Sequence, residues 1–264
     1  MKRYYDKEHE RLIYIGSSAS EQFWDDHWQT NDFRKAITSM PNSWVAKTTK
    51  KYLRTGSKVL EGGCGQANHV YALHTHGFDA IGLDYAPETV KKLKKYSPEL
   101  RIEHGDVRKL PFEENYFDGY WSVGVIEHFW SGFNDIASEM ARVIRGGGYL
   151  FLTFPVMSSL RKWIAKHKNY QKWEGKETEP DGFYQFALDS QSTIQHFTSL
   201  GFEVIHSRGF DGVKGIKDEI SLIKPLFQKI YDSQNISAKI SRKIIDLSFS
   251  HYCGHSKLFV LQNK

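Results

Sequence analysis

The residues best suited to chemistry are a glycine-rich turn, a few acidic positions that follow it, and one Glu-His pair. Lys58-Val59-Leu60-Glu61-Gly62-Gly63-Cys64-Gly65-Gln66-Ala67-Asn68 reads as a short apolar strand running into glycines, with a helix starting behind them. Glycines let backbone approach a ligand and a helix start presents free N–H groups, so this order builds a nucleotide site. Asp84 closes the next apolar run about 20 residues later, where a carboxylate can accept both ribose hydroxyls whatever the nucleotide. Tyr85 beside it can lie along the ribose or the base. Glu127-His128 follows a later strand. His128, of ordinary pKa about 6.5, is the first candidate for a general base there, and Glu127 is the second.

Spacing decides which nucleotide. As a dinucleotide fingerprint the turn places Asn68 where a third Gly or Ala is needed for close helix–strand packing, which is a poor match. As an acidic-x-Gly-x-Gly-x-Gly frame it runs Glu61, Gly63, Gly65, with Ala67 in place of the last glycine. In that frame the chain resembles the class I S-adenosylmethionine-dependent methyltransferases, type 11-like. The resemblance is strong over about residues 56–155 and weak over the final strands.

The resemblance implies further roles. Asp106 would accept a hydrogen bond from the adenine amino group, and the N–H of Val107 would read a ring nitrogen. The carbonyl of Ser122 would hold the methionine amino group, with Glu61 opposing that ammonium electrostatically. Arg145-Gly146-Gly147-Gly148 is similar to the family's basic-Pro-Gly-Gly turn. The sulfonium is already an activated leaving group, so the protein need only align an acceptor and, where necessary, remove a proton. Some relatives with a similar Glu-His step bind a divalent metal through a carboxylate three residues earlier. Gly124 stands at that position, so no metal is expected. The His251-Tyr252-Cys253-Gly254-His255 cluster fits no zinc spacing.

The elements that position these residues follow from periodicity. From Lys58 onward strands alternate with helices, predicting a doubly wound α/β fold with a mostly parallel sheet. The resemblance makes it seven-stranded, Rossmann-like, with the last strand antiparallel. Residues 1–55 lack a strand pattern and are expected to be helical, with one helix capped at Ser20 and continuing through Phe33, Ile37 and Met40, and a second over 43–53. The resemblance implies that these helices fold over the cofactor as a lid; plain packing of Trp24, Trp28 and Trp44 against the sheet is the alternative. Residues 56–264 form the methyltransferase domain. Within it, 156–188 is a connection on the ligand side of the sheet, basic (Arg161, Lys162, Lys166, Lys168, Lys172) and aromatic. The 211–250 insertion should hold two amphipathic helices, one on Ile216, Ile220, Ile223, Phe227 and Ile230, kinked at Pro225, and one on Ile236, Ile240 and Ile244. It is a candidate accessory cap, dimer surface or peripheral membrane contact.

Composition narrows the partners. A net charge of +5 on 264 residues is too mild for a dedicated nucleic-acid binder. Two cysteines cannot form a disulfide framework, no leader-like stretch opens the chain, and no apolar run approaches the ~20 residues of a membrane helix. The expectation is a cytoplasmic enzyme acting on a small-molecule acceptor. The aromatic and basic 156–188 segment points to an anionic metabolite such as a sugar or carrier-linked glycan precursor. The Phe23-Trp24-Asp25-Asp26-His27-Trp28, Glu127-His128-Phe129 and Gly182-Phe183-Tyr184-Gln185-Phe186 patterns look like methyltransferases of surface-polysaccharide gene clusters. Two alternatives stay open: an RNA methyltransferase tracking phosphates along Lys91, Lys92, Lys94, Lys95 and the 161–172 cluster, and a cofactor-binding subunit without catalysis.

Overall fold

The computed structural model describes residues 1–264 except 30–31, 168–169 and 176–177. Lys168 of the basic cluster therefore lies outside the described residues. The chain opens with strands β1 (Lys2–Asp6) and β2 (Arg11–Ile15), then helices α1 (Glu21–His27), α2 (Phe33–Ile37) and α3 (Trp44–Thr49). The alternating part follows: β3 (Lys58–Gly62), α4 (Asn68–Thr75), β4 (Asp79–Asp84), α5 (Pro87–Tyr96), β5 (Arg101–His104), β6 (Phe117–Val123), α6 (Asn134–Val143) and β7 (Ile144–Pro155). Beyond it come α7 (Ser159–His167), β8 (Gln171–Lys172), β9 (Phe183–Ala187), α8 (Ser190–Ser199) and β10 (Phe202–Phe210). Helices α9 (Gly212–Glu219), α10 (Lys224–Asp232) and α11 (Ile236–Cys253) precede the last strand, β11 (Ser256–Asn263).

Seven strands form the main sheet in the order β10-β11-β7-β6-β3-β4-β5, with β11 antiparallel to both neighbours and β3 through β7 parallel. A parallel sheet is covered on both faces, so its strands read as apolar runs. Alternate residues feed two separate cores: Tyr120 and Leu60 enter one, Trp121 and Val59 the other. Trp121 Nε1 donates to Thr49 Oγ1 at 2.9 Å, pinning α3 to the sheet.

The first fifteen residues correct the expectation of an all-helical N-terminus. β1 and β2 form a hairpin inside a second, four-stranded sheet ordered β8-β1-β2-β9. Its turn is organised by Asp6, which accepts from the backbone N–H groups of Glu8 and His9 and from Arg11 Nε. The strand partners β8 and β9 come from the 156–188 segment, which is therefore not a plain connection. The single helix expected from Ser20 to Met40 is two helices: Ser20 caps α1 and Asp32 caps α2.

The 211–250 insertion holds three helices rather than two. Pro225 does not kink a continuous helix. It stands in the first turn of α10, where a missing N–H costs nothing. Arg161, expected among surface cations, is buried, with its guanidinium 2.8 Å from Glu219 of α9. Glu219 also accepts from Arg3 and from the Tyr170 hydroxyl, so one carboxylate ties the small sheet, α7 and α9 together.

Candidate active site

A cleft of about 700 Å³ opens where the parallel strands end at their carboxyl edge. The glycine turn after β3 forms its floor, and Gly63 and Gly65 take φ of +75° and +51°, a left-handed backbone that favours glycine. A Cβ on Gly65 would sit 2.8 Å from the Trp28 ring and one on Gly63 would sit 2.6 Å from Val125. The turn thus needs glycine for packing as well as for ligand approach. Ala67 holds φ +56° without being glycine, at a cost of about 1 kcal/mol.

Glu61 is 2% exposed and its Oε2 has no hydrogen-bond partner among the described residues. Burial first, and then the Asp84 charge, push its carboxyl well above the usual range. Asp84 is held harder: Oδ2 accepts from the N–H of Gly65 at 2.8 Å and Oδ1 from that of Ala86 at 3.0 Å. Burial raises its pKa against those amides. The same carboxylate that faces the cleft therefore fastens the glycine turn to the end of β4. Tyr85 lines the cleft while its hydroxyl donates to the Ala19 carbonyl at 2.7 Å.

Two expected positions do not present their side chains to the cleft wall. Asp106 stands between the lining residues Gly105 and Val107, its half-exposed carboxylate engaged by Arg108 at 2.6 Å from Nη2. Burial pushes that carboxyl up, but the Arg108 hydrogen bonds outweigh it and hold it below the ordinary range. Gly105, Val107 and Arg108 line the cleft around it. The Ser122 side chain is fully buried in β6, which leaves the expectation for its carbonyl untouched, and Val123, Gly124 and Val125 line the wall beside it.

Glu127 and His128 sit together in a short helical turn after β6, and both line the cleft. Burial lifts the Glu127 carboxyl to about 8, with its own backbone N–H and Lys214 pulling the other way. Its Oε2 is without a partner among the described residues. His128 Nδ1 lies 2.6 Å from the Tyr184 carbonyl, which can only accept, so Nδ1 carries the proton and Nε2 keeps its lone pair. Burial lowers this imidazole to about 4, so it stays neutral near pH 7. The rings of Trp24 and Tyr184 meet it edge-on.

Several groups in and around the cleft were given no role there by the sequence. Lys214 and Asp211 come from the start of α9, and His255 from just before β11. Burial lowers the Lys214 ammonium, with the Asp211 charge opposing, and no hydrogen bond or ion pair holds it among the described residues. His255 Nδ1 accepts from Arg161 at 2.8 Å, which leaves the ring proton on Nε2. Asp25 of α1 accepts from the N–H and hydroxyl of Thr89, both at 2.8 Å, so it caps α5 and closes α1 over the turn. Trp28 adds to this closure by accepting from Gln66 through its carbonyl. The Trp24-Asp25-Asp26-His27-Trp28 run was the available signal; nothing local marked Lys214.

The cleft therefore has two ionisable ends. Glu61 and Asp84 make one, suited to a ligand with an ammonium and vicinal hydroxyls. Glu127, Lys214 and Asp211 make the other, beside a neutral imidazole with a free lone pair.

Known proteins match in sequence and in fold. A family model described as a methyltransferase domain matches residues 60–152. A probable S-adenosylmethionine-dependent methyltransferase of Mycolicibacterium smegmatis is 27% identical over 64% of this chain and 62% of its own length. A demethylmenaquinone methyltransferase of Staphylococcus haemolyticus is 30% identical over 61% of this chain and 74% of its own length. The solved structure of a putative sarcosine dimethylglycine methyltransferase from Galdieria sulphuraria superposes with a TM-score of 0.55 at 14% identity. That superposition covers 92% of this chain and 98% of the other.

Proposed function

Because the chain belongs to the S-adenosylmethionine-dependent methyltransferases, we propose that it methylates a small anionic acceptor with a flat ring face, such as a sugar or carrier-linked glycan precursor. The observation that carries the acceptor reading is Lys214, a half-buried ammonium without an ion-pair partner among the described residues, in a cleft whose wall also carries Trp24, Trp28, Trp44 and Trp130. Aromatic walls suit a sugar ring, and an unpaired buried cation suits a phosphate or carboxylate.

The residues present fit the cofactor. Glu61 offers a buried, unpartnered oxygen to an ammonium, and Asp84 keeps a lone pair on each oxygen for ribose hydroxyls. The backbone at Gly105 and Val107 supports adenine recognition, with Asp106 fixing that loop through Arg108 rather than facing the ring. The Ser122 carbonyl, near the end of β6, stays the proposed holder of the methionine amino group. When bound, S-adenosylmethionine supplies a methyl group on a sulfonium, which needs no further activation. His128 Nε2 accepts the acceptor's hydroxyl proton, and its tautomer is set for this by the Tyr184 carbonyl. Glu127, neutral below about pH 8, donates to the acceptor, or takes that proton once ionised. Trp28 and Asp25 keep α1 closed and exclude water. Both cysteines are free and buried, which supports a reducing, cytoplasmic setting.

No single observation favours RNA. Lys91 and Lys94 pair with Glu88 and Glu103, and Arg161 is committed to Glu219. Methyl-labelled cofactor, incubated with the protein and size-fractionated cell extract, should label anionic small molecules. K214M should raise KM for the labelled acceptor at least tenfold with cofactor affinity unchanged, as expected for loss of one charge-assisted contact. Label entering RNA or protein, or an unchanged KM, refutes the acceptor reading.

A further inference from the structure

The most exposed large apolar side chains gather on the insertion: Leu222 at 89%, Ile236 at 77% and Leu247 at 74%, joined by Leu226, Ile240 and Ile244. Along α11, residues 236, 240, 244 and 247 fall within about 80° of one another, so they form one stripe. The helix cannot roll to hide it. Its other side is fixed by buried Ala238, Ser250 and Cys253, and Asp246 accepts the Gly212 N–H at 2.7 Å. Arg242 donates to the Ser233 carbonyl at 2.7 Å, so α10 and α11 turn out as one unit.

Charge selects the occupant. Lys224, Lys229, Lys239 and Lys243 are all exposed on α10 and α11, and Lys239 and Lys243 lie within about 60° of the α11 stripe. Asp232 is the one acidic residue between positions 221 and 245, and its carboxylate already accepts from Gln228. A second copy on a two-fold axis would bring these lysine rows face to face, which opposes self-association. An apolar stripe within a lysine rim instead matches a surface that is anionic at the headgroups and apolar just beneath. We infer that the exposed α10–α11 face docks on anionic lipid membrane.

The docking is peripheral: among the described residues no helix is long and apolar enough to cross a membrane. α9, which brings Lys214 to the cleft, packs against both α10 and α11, so one helix joins the docking face to the cleft. The inference rests on the insertion surface and stands apart from the identity of the acceptor.

Vesicle flotation tests it with the full chain. The protein should float with phosphatidylcholine vesicles containing phosphatidylglycerol, stay behind with phosphatidylcholine alone, and release as salt rises. K239Q and K243Q should each weaken partitioning roughly fivefold, the value of one lysine near an anionic surface. I240E combined with I244E should abolish it while S-adenosylmethionine affinity stays unchanged, which separates lost docking from misfolding. Failure to float with anionic vesicles overturns the inference. So does a concentration-dependent dimer, in sedimentation velocity, that I244E dissociates while vesicles are ignored.

Discussion

Glu127→Gln isolates the most heavily perturbed carboxyl of the acceptor end. Glu127 is 2% exposed, and burial carries it from an ordinary 4.5 to about 8. A carboxyl whose pKa is raised by folding gives stability that is fully present below its unfolded pKa and is lost as pH rises through the folded value. Between pH 4.5 and 8 the unfolded chain is ionised there while the native protein holds the proton, so stability falls by about 1.4 kcal/mol per pH unit. The loss amounts to about 3 kcal/mol at pH 7 and levels off near 5 kcal/mol above pH 8. Glutamine has the shape of the neutral acid and cannot ionise. Any cost from its amide is independent of pH, and every other titrating group cancels in the comparison.

Urea unfolding of both proteins at pH 5 and pH 9, without ligand, gives the test. Relative to the wild type, E127Q should gain on the order of 4 kcal/mol between those pH values. A constant difference would mean that Glu127 ionises freely, through water or through Lys214, and would remove the basis for treating it as a neutral donor near pH 7.

On the proposed reading E61Q, which keeps the shape of the carboxyl, removes the group that a bound ammonium would draw into its ionised form; calorimetry should show S-adenosylmethionine binding weakened ten- to hundredfold, the value of a charged hydrogen bond. Unchanged affinity would dissociate Glu61 from the cofactor. E219Q leaves Arg161 buried without its counter-charge, so thermal or urea unfolding should record a loss of about 3–5 kcal/mol. A loss below about 1 kcal/mol would show that Val156, His255 and solvent suffice for that guanidinium.

The central parallel strands were legible because β3, β4 and β6 are buried nearly throughout and most of the strands are set off by helix starts and stops. β4 runs to Asp84 as expected, and α5 begins at Pro87. The small sheet was not legible because its pairings are remote: Leu12 lies opposite Ala187 and Ile13 opposite Phe186. A five-residue strand flanked by charges gives no local sign of a partner so far away. Arg161 was misread for a related reason, since only the fold brings Glu219 to it. Lys214 looked like any solvated lysine of an amphipathic helix. The antiparallel return of β10 and β11 swings α9 to the carboxyl edge of the sheet, and no periodicity carries that information.

Partner count separates the buried charges into two kinds. Glu219 is nearly inaccessible, yet Arg3, Arg161 and Tyr170 all donate to it, so its desolvation is offset within the fold. Glu61 and Glu127 are just as deeply buried, but each keeps an oxygen without a partner, while the half-buried Lys214 presents its ammonium to the cleft. Burial without compensation destabilises the empty protein, so these groups are sustained by what enters the cleft. On the proposed reading the cofactor's ammonium answers Glu61. An acceptor that brings an anion for Lys214 and a hydroxyl for Glu127 and His128 answers the rest. It follows that cofactor and acceptor together should stabilise the protein more than the cofactor alone, and that the difference should vanish in K214M.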